Sequence, residues 1–187
     1  MFRFFETLAD ELPLPLILYN MPGMVKRSIP LEVADQLSKH PNIVGMKDSE
    51  RSEERLEKSV KLWKKRSDFS FLVGWAAMSS AGLQLGADGI VPSTGNFCPD
   101  LYFSLYEAVL NGDMEKADQL QVQTNKVSAL YQQNRDLSHS IPALKTMMEI
   151  ERLCSSTVLP PMYPMGEREK EDYVEQIKNE LKHLNLL

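Results

Sequence analysis

The chain has 187 residues and a formal net charge of −5, with 43% hydrophobic and 25% charged residues. This size and composition are typical of one globular domain, and the interspersed charges exclude a nucleic-acid footprint or a membrane-surface patch, so a small molecule or another copy of the chain is the expected partner. Two distant cysteines without metal-ligand spacing, no signal peptide and no apolar run near 18 residues predict a reduced cytoplasmic protein without a metal site or membrane span.

A short apolar run, a polar turn and an amphipathic stretch recur four times between residues 13 and 96. The predicted strands are 14–20, 42–47, 69–74 and 89–93. The first two are apolar almost throughout, a pattern typical of parallel strands covered on both faces. Helices are predicted at 2–10, before the first strand, and at 30–39, 52–66 and 76–85 between the strands.

Only helices are predicted after residue 97, at 99–110, 114–134, 141–154 and 167–184. We therefore expect two regions. Residues 1–97 form the strand-containing part, and residues 98–187 contain the last barrel helix and a helical tail.

Alternating strands and helices are typical of a doubly wound sheet or a (β/α)8 barrel. A complete barrel needs about 200 residues or more, whereas only four βα units are present here. The pattern also starts with a helix, as if in mid-fold. The predicted fold is therefore α/β, the C-terminal half of a (β/α)8 barrel with four βα units, followed by a C-terminal helical segment.

Three predicted strands end in unusual segments, which are "LILYNMPG", "IVGMKDS" and "GIVPSTGN". Functional groups of parallel α/β folds lie at such carboxyl ends. Lys47 closes a buried run, where burial would lower the lysine pKa from its reference of about 10.4 and allow attack on a carbonyl. Tyr19, at the end of the preceding strand, is the candidate proton carrier.

Each of these signals has a structural alternative. Lys47 taken alone is a solvated strand end or the partner of Asp48 or Glu50 in a salt bridge. Tyr19 is by default a packed aromatic with its hydroxyl at the surface. The "PSTGN" loop is by default a turn, since its residues adopt turns for backbone reasons.

The segments "LPLILYNMPG", "HPNIVGMKDS" and "LGADGIVPSTGNFCPDLYFSLYEAVLNGD" together resemble the second half of a known family. This is the dihydrodipicolinate synthase and N-acetylneuraminate lyase family of class I, Schiff-base, pyruvate-dependent aldolases. The resemblance extends to "TVLPPMYPMGEREKEDYVEQIKNEL", which is similar to the end of the 2-keto-3-deoxy sugar acid aldolase branch.

The resemblance implies that Lys47 forms an imine with pyruvate or a larger 2-oxo acid and that Tyr19 relays the proton. It implies that the backbones of Gly74 and Val91 line the pocket. It also implies that the loop after the fourth strand holds the rest of the substrate, through Ser93, Thr94, Gly95 and Asn96. No metal or organic cofactor is implied, and the helices after the strands would support a homo-oligomer.

Two departures from the family bear on function. Dihydrodipicolinate synthases have an arginine shortly after the "YNxP" turn, where this chain has Met24, with Lys26 and Arg27 out of register. A hydroxylated or sugar-derived 2-oxo acid is therefore favoured over the synthase reaction. The family's first four strands, including the segment that anchors the substrate carboxylate, have no counterpart in these residues.

Three hypotheses remain open at this point. The chain is part of a Schiff-base 2-oxo acid aldolase or lyase, inactive without the missing half or a self-assembled partner. Alternatively, it is a non-catalytic half-barrel or oligomerising fragment. The third hypothesis is a 2-oxo acid binding module without turnover.

Overall fold

The computed structural model describes residues 1–184 and shows parallel strands alternating with helices. The strands are β1 (Leu16–Asn20), β2 (Ile43–Asp48), β3 (Ser70–Val73) and β4 (Gly89–Ile90). The helices are α1 (Phe2–Glu11), α2 (Pro22–Val25), α3 (Leu31–Leu37), α4 (Glu53–Trp63), α5 (Ser79–Leu85), α6 (Pro99–Leu110), α7 (Met114–Gln132), α8 (Leu137–Ile150) and α9 (Glu167–His183). Short 3-10 turns span Ala76–Met78 and Ser93–Asn96.

The strands form one sheet in sequence order, β1-β2-β3-β4, and every pair is parallel. A doubly wound sheet reverses its strand order at a switch point. The sheet built by residues 1–184 has no such reversal, so each βα unit steps in the same direction, as in a barrel. The predicted half of a (β/α)8 barrel followed by helices is confirmed. Across the same residues, no helix is long and apolar enough to cross a bilayer.

Several predicted boundaries differ from the observed ones; for example, the first strand begins at Leu16 and the helices predicted to end at 66 and 154 end at Trp63 and Ile150. Two of the differences have identifiable reasons. The helix expected to begin at residue 141 begins at Leu137, because the Asp136 side chain caps it by accepting from the amide of His139, and Pro142 lies inside it. The fourth strand ends at Ile90 rather than at residue 93. The amide of Val91 still donates to Val73 at 2.8 Å, but Pro92 has no amide hydrogen to continue the ladder.

The chain divides into two compact units. The first contains Met1–Ser93 and Tyr106–Ala117, and the second contains Thr94–Leu105 and the residues from Asp118 onward. Within the second unit, the Thr94 hydroxyl bonds to the side chains of Ser128 and Tyr131 in α7. This division differs from the expected regions 1–97 and 98–187, since it begins the second unit at Thr94 and returns part of α6 and α7 to the first.

One face of the sheet is buried under helices and forms the core of the first unit. We call it the covered face; its apolar residues are Leu18, Met46, Phe71 and Val73, each at most 2% exposed. Trp63 of α4 is fully buried, with its ring 5.6 Å from the ring of Phe71 and 5.0 Å from that of Phe69. Ring contacts of this kind add to the free energy of simple apolar burial.

The opposite side of the sheet is what we call the open face. The strand register places Ile17, Tyr19, Lys47 and Leu72 on it. Ile17 is 49% exposed and Tyr19 is 51% exposed. The expectation that these strands are covered on both faces is therefore wrong for the described residues, although their sequences have the apolar character that such cover requires.

Candidate active site

Lys47 and Tyr19 lie side by side at the carboxyl edge of the open face. They are direct neighbours in the parallel pairing of β1 with β2, so both side chains leave the same face of the sheet. The Lys47 Nζ atom lies 4.4 Å from the centroid of the Tyr19 ring. Lys47 is partly buried. The sequence-predicted pair is thus brought together, with the cation over the aromatic face.

The salt-bridge alternative for Lys47 is wrong, because its acidic neighbours are bound elsewhere. Asp48 follows Lys47 on the same strand and points to the covered face, where its carboxylate accepts from Arg55 Nε at 2.6 Å. The Glu50 carboxylate accepts from Ser28 Oγ at 2.5 Å. Both carboxylates are therefore held on the side of the sheet opposite the lysine amine.

Asn20 joins these carboxylates into one network. Its Nδ2 atom donates to Asp48 at 2.8 Å and to Glu50 at 3.0 Å, and its Oδ1 atom accepts from the Ile29 amide at 2.9 Å. Burial raises the pKa of Glu50, but the hydrogen bonds from Ser28 and Asn20 and the charge of Arg55 outweigh it and hold that pKa below its usual value. Glu50 is therefore a carboxylate at neutral pH.

Gly74 and Val91 extend this edge to β3 and β4. The Gly74 amide donates to the Asp48 carbonyl at 2.7 Å. A Cβ atom at Gly74 would overlap the Ser49 hydroxyl and come within 2.9 Å of the same carbonyl, so a larger residue does not fit there. Val91 is 39% exposed.

The residues of the "PSTGN" loop have different environments. Ser93 is exposed and belongs to the first unit, whereas Thr94, Gly95 and Asn96 belong to the second. Thr94 is fully buried, and its hydroxyl bonds to Ser128 at 2.7 Å and to the Tyr131 hydroxyl at 2.8 Å. The Thr94 side chain therefore anchors the loop. Contact of these four residues with substrate stays a prediction.

The sequence analysis also missed the network of Asn20, Asp48 and Arg55. The signal was present, because Asn20 directly follows Tyr19 and Asp48 directly follows Lys47. In a strand with period 2, these polar residues had to point toward the buried side. A buried polar residue needs a partner, and Arg55 in the first turn of α4 provides it.

Comparison with known proteins gives this fold and site a context. The model of the dihydrodipicolinate synthetase family matches residues 1–180. The chain is 32% identical to 4-hydroxy-tetrahydrodipicolinate synthase of Geobacter metallireducens, over 90% of this chain and 56% of that protein. It is 30% identical to the putative 2-dehydro-3-deoxy-D-gluconate aldolase YagE of Escherichia coli, over 98% of this chain and 60% of that protein.

Solved structures give the same result. Dihydrodipicolinate synthase of Bacteroides thetaiotaomicron superimposes with a TM-score of 0.85 at 32% identity, covering 95% of this chain and 60% of that one. YagE, crystallised in complex with pyruvate, superimposes with a TM-score of 0.86 at 28% identity, covering all of this chain and 61% of that one. The chain thus spans about 60% of the length of these relatives, and it belongs to the dihydrodipicolinate synthetase family.

Proposed function

We propose that this chain supplies the Schiff-base lysine and the proton relay of a class I aldolase or lyase that acts on a 2-oxo acid. The observation that supports this most directly is the placement of the Lys47 amine 4.4 Å from the centre of the Tyr19 ring, on adjacent strands at the carboxyl edge. Parallel barrels hold their reacting groups at this edge.

In the proposed reaction, the unprotonated Lys47 amine adds to the keto carbon of the 2-oxo acid, and water leaves to give an imine. The protonated imine withdraws electrons, so a carbon–carbon bond next to it breaks or forms. Tyr19 carries protons to and from the reacting atoms through its hydroxyl. The positive charge of the imine forms at the nitrogen that lies over the Tyr19 ring, where the aromatic face stabilises it.

The proposal includes a cover over the open face. A neutral amine and a strong electrostatic field both require exclusion of water, yet Tyr19 is 51% exposed. The relatives contain chain beyond the part matched here. We propose that further barrel sequence or a second copy of the chain completes the site, and that the assembled enzyme is a cytoplasmic homo-oligomer that needs no metal or organic cofactor.

For the substrate, we propose a hydroxylated or sugar-derived 2-oxo acid. Met24 supports this choice. It lies 57% exposed in α2, the short helix after β1, where the synthases have an arginine that grips a second carboxylate. The dihydrodipicolinate synthase reaction is the second candidate, because relatives of that name match the chain at up to 34% identity.

The test is to mix the chain with pyruvate and borohydride and to locate the reduced adduct by mass spectrometry. We expect the adduct on Lys47. Lys47→Arg keeps the charge and loses the adduct, whereas Lys26→Arg, in the turn after β1, keeps it. Tyr19→Phe keeps the ring and removes the hydroxyl, so we expect adduct formation to slow by about 100-fold or more.

The alternatives predict different outcomes. If Lys47 carries no adduct while a full-length relative forms one under the same conditions, the hypothesis of a non-catalytic half-barrel remains. Adduct formation without turnover of any 2-oxo acid would leave a binding module. Comparing turnover of hydroxylated 2-oxo acids with the synthase reaction separates the two substrate classes.

A further inference from the structure

We propose that Asn20 is a positioning residue, which sets the place of the Tyr19 hydroxyl relative to the Lys47 amine from the opposite face of the sheet. This proposal rests on the proposed function, because it assigns a support to the pair named there. Asn20 itself contacts neither the amine nor the open face.

The first observation is that the described residues hold β1 from one side only. β1 is at the edge of the sheet, and β2 is its hydrogen-bonded neighbour. A strand at an edge leaves half of its backbone groups outside the ladder. The carboxyl end of β1, where Tyr19 lies, therefore depends on additional contacts for its position.

The second observation is that the Asn20 side chain supplies these contacts. It is 1% exposed and makes three hydrogen bonds, to Asp48, Glu50 and the Ile29 amide. The bond to Asp48 joins the last residues of β1 and β2, directly after Tyr19 and Lys47. The bond to Ile29 fixes the segment that follows β1.

The third observation is that the acceptor of Asn20 is itself fixed. Asp48 is bound by Arg55 Nε at 2.6 Å, and Arg55 Nη2 donates to the Ile29 carbonyl at 2.8 Å. The ring of contacts therefore closes through Asn20, Asp48, Arg55 and Ile29. Charge-assisted bonds of this kind are short and directional, so the ends of β1 and β2 move together.

The consequence concerns reaction geometry more than stability. A misplacement of about 1 Å between reacting groups can cost on the order of 100-fold in rate. Without the Asn20 amide, the end of β1 has backbone bonds to β2 as its main restraint, and the Tyr19 ring loses its fixed place beside the amine. Asn20→Ala should therefore slow imine formation through Tyr19.

The chain offers a matched control at the other end of the same strands. Asn42 Nδ2 also makes three hydrogen bonds, to the carbonyls of Ala9 (2.9 Å), Leu12 (3.0 Å) and Leu14 (3.1 Å). Asn42→Ala removes the same side-chain amide and as many hydrogen bonds, far along the strands from Tyr19. Asn42 is half-buried whereas Asn20 is buried, so urea unfolding of both variants gives the loss of stability in each. A purely structural effect should lower the trapping rate in proportion to that loss.

The experiment measures the rate of borohydride trapping at Lys47 over a range of pyruvate concentrations. We expect Asn20→Ala to lower the maximal rate at least about 10-fold, with little change in the half-saturating concentration, and Asn42→Ala to lower it less than about 2-fold. In the Tyr19→Phe background, Asn20→Ala should have no further effect, because residues that act through one group are not additive. Equal effects of the two asparagine variants, or full additivity with Tyr19→Phe, would overturn the proposal.

A second measurement does not use pyruvate and so separates this proposal from the proposed function. The reactivity of each lysine toward an amine-reactive ester is measured by mass spectrometry. Asn20→Ala should raise the labelling rate of Lys47 by at least about 3-fold through loss of its place over the ring, with Asn42→Ala and exposed Lys39 unchanged. If the unaltered chain forms no adduct, the proposed function fails. If Asn20→Ala leaves the labelling rate of Lys47 unchanged, the positioning role fails as well. If Asn20→Ala does not fold, Arg55→Lys tests the same chain of contacts, since it keeps the charge and shortens the reach to Ile29.

Discussion

Replacing Gly45 tests how closely β2, the strand of Lys47, packs against β3. It lies two residues before Lys47 on β2 and faces β3. A Cβ atom built there would lie 2.8 Å from the Ser70 carbonyl oxygen, whereas ordinary van der Waals contact begins at 3.4 Å. The obstacle is backbone, so no side-chain rotation relieves it, and two hydrogen-bonded strands have to separate by several tenths of an ångström.

We therefore expect Gly45→Ala to lower the free energy of unfolding by about 1–3 kcal/mol, the usual cost of overpacking a well-packed interior. Gly23→Ala is the matched control. Gly23 lies in α2, where the nearest atom to a new Cβ is the flexible end of Met21 at 3.9 Å. Alanine fits there and restricts the unfolded chain, so we expect a gain of about 0.4–1 kcal/mol.

Urea unfolding followed by tryptophan fluorescence measures both effects. The two tryptophans, Trp63 and Trp75, belong to the first unit, as Gly45 and Gly23 do, so the signal reports on the right part of the chain. With a slope of about 2 kcal/mol per molar urea, a loss of 2 kcal/mol moves the midpoint down by about 1 M. A Gly45→Ala midpoint at or above that of the unaltered chain would show that β2 and β3 are not packed as described.

Three further predictions follow from other parts of the chain. Burial raises the pKa of the Cys98 thiol to about 11. At pH 8, we therefore expect Cys154 to be alkylated at least about 10-fold faster than Cys98, as measured by mass spectrometry. Equal rates would contradict the burial of Cys98. Hydrogen bonds from Ser138 and then His139 lower the pKa of Asp136 from 3.8 to about 2, so its support of α8 is present above pH 4 and is lost as the pH falls toward 2. Asp136→Asn should remove this pH dependence of amide exchange at the start of α8, and an unchanged profile would refute the capping role. Ile17→Lys on the open face should change the free energy of unfolding by less than about 0.5 kcal/mol. Leu18→Lys on the covered face should unfold the first unit, because it buries a charge. Similar melting temperatures for the two variants would contradict the assigned faces.

The parallel half-barrel could be predicted because its signals are local. Apolar runs of strand length alternate with helical stretches, and the four strands lie in the sheet in the order in which they occur. The pairing of Tyr19 with Lys47 could be predicted too, since both close a strand and adjacent parallel strands end at the same edge. Their roles as imine-forming lysine and proton relay were a hypothesis drawn from the family resemblance, because periodicity alone does not assign a role.

The exposure of the open face could not be predicted, because it depends on what lies against the sheet. Ile17 has the side chain of a buried residue and is nevertheless 49% exposed. An apolar run indicates that a strand is suited to burial on both faces, whereas the described residues bury only one face of this sheet. The start of α8 was missed for a different reason. The helix begins at Leu137 because the Asp136 side chain caps it, and a capping bond is visible only in the structure.

The burial of Thr94 shows a further limit of pattern reasoning. Serine, threonine, glycine and asparagine in one loop indicate a turn and also suit substrate contacts. The structure places the Thr94 hydroxyl between Ser128 and Tyr131, which are more than thirty residues later in the chain. Contacts at this separation depend on tertiary packing, and a single sequence contains no periodic signal for them.

Because successive side chains of a β-strand point to opposite faces, neighbouring residues at this site lie in different environments. Tyr19 and Lys47 leave the open face, and the residue after each, Asn20 and Asp48, enters the covered face and bonds to its counterpart. Under the positioning role proposed for Asn20, polar contacts on the covered face set the distance between Tyr19 and Lys47. On the same reasoning, a change at Arg55 should alter the reactivity of Lys47 without any contact between them, because Arg55 of α4 holds Asp48, the residue after Lys47 on β2. The polar residues that make these contacts lie on the covered face, so in the proposed enzyme they leave the open face to the substrate.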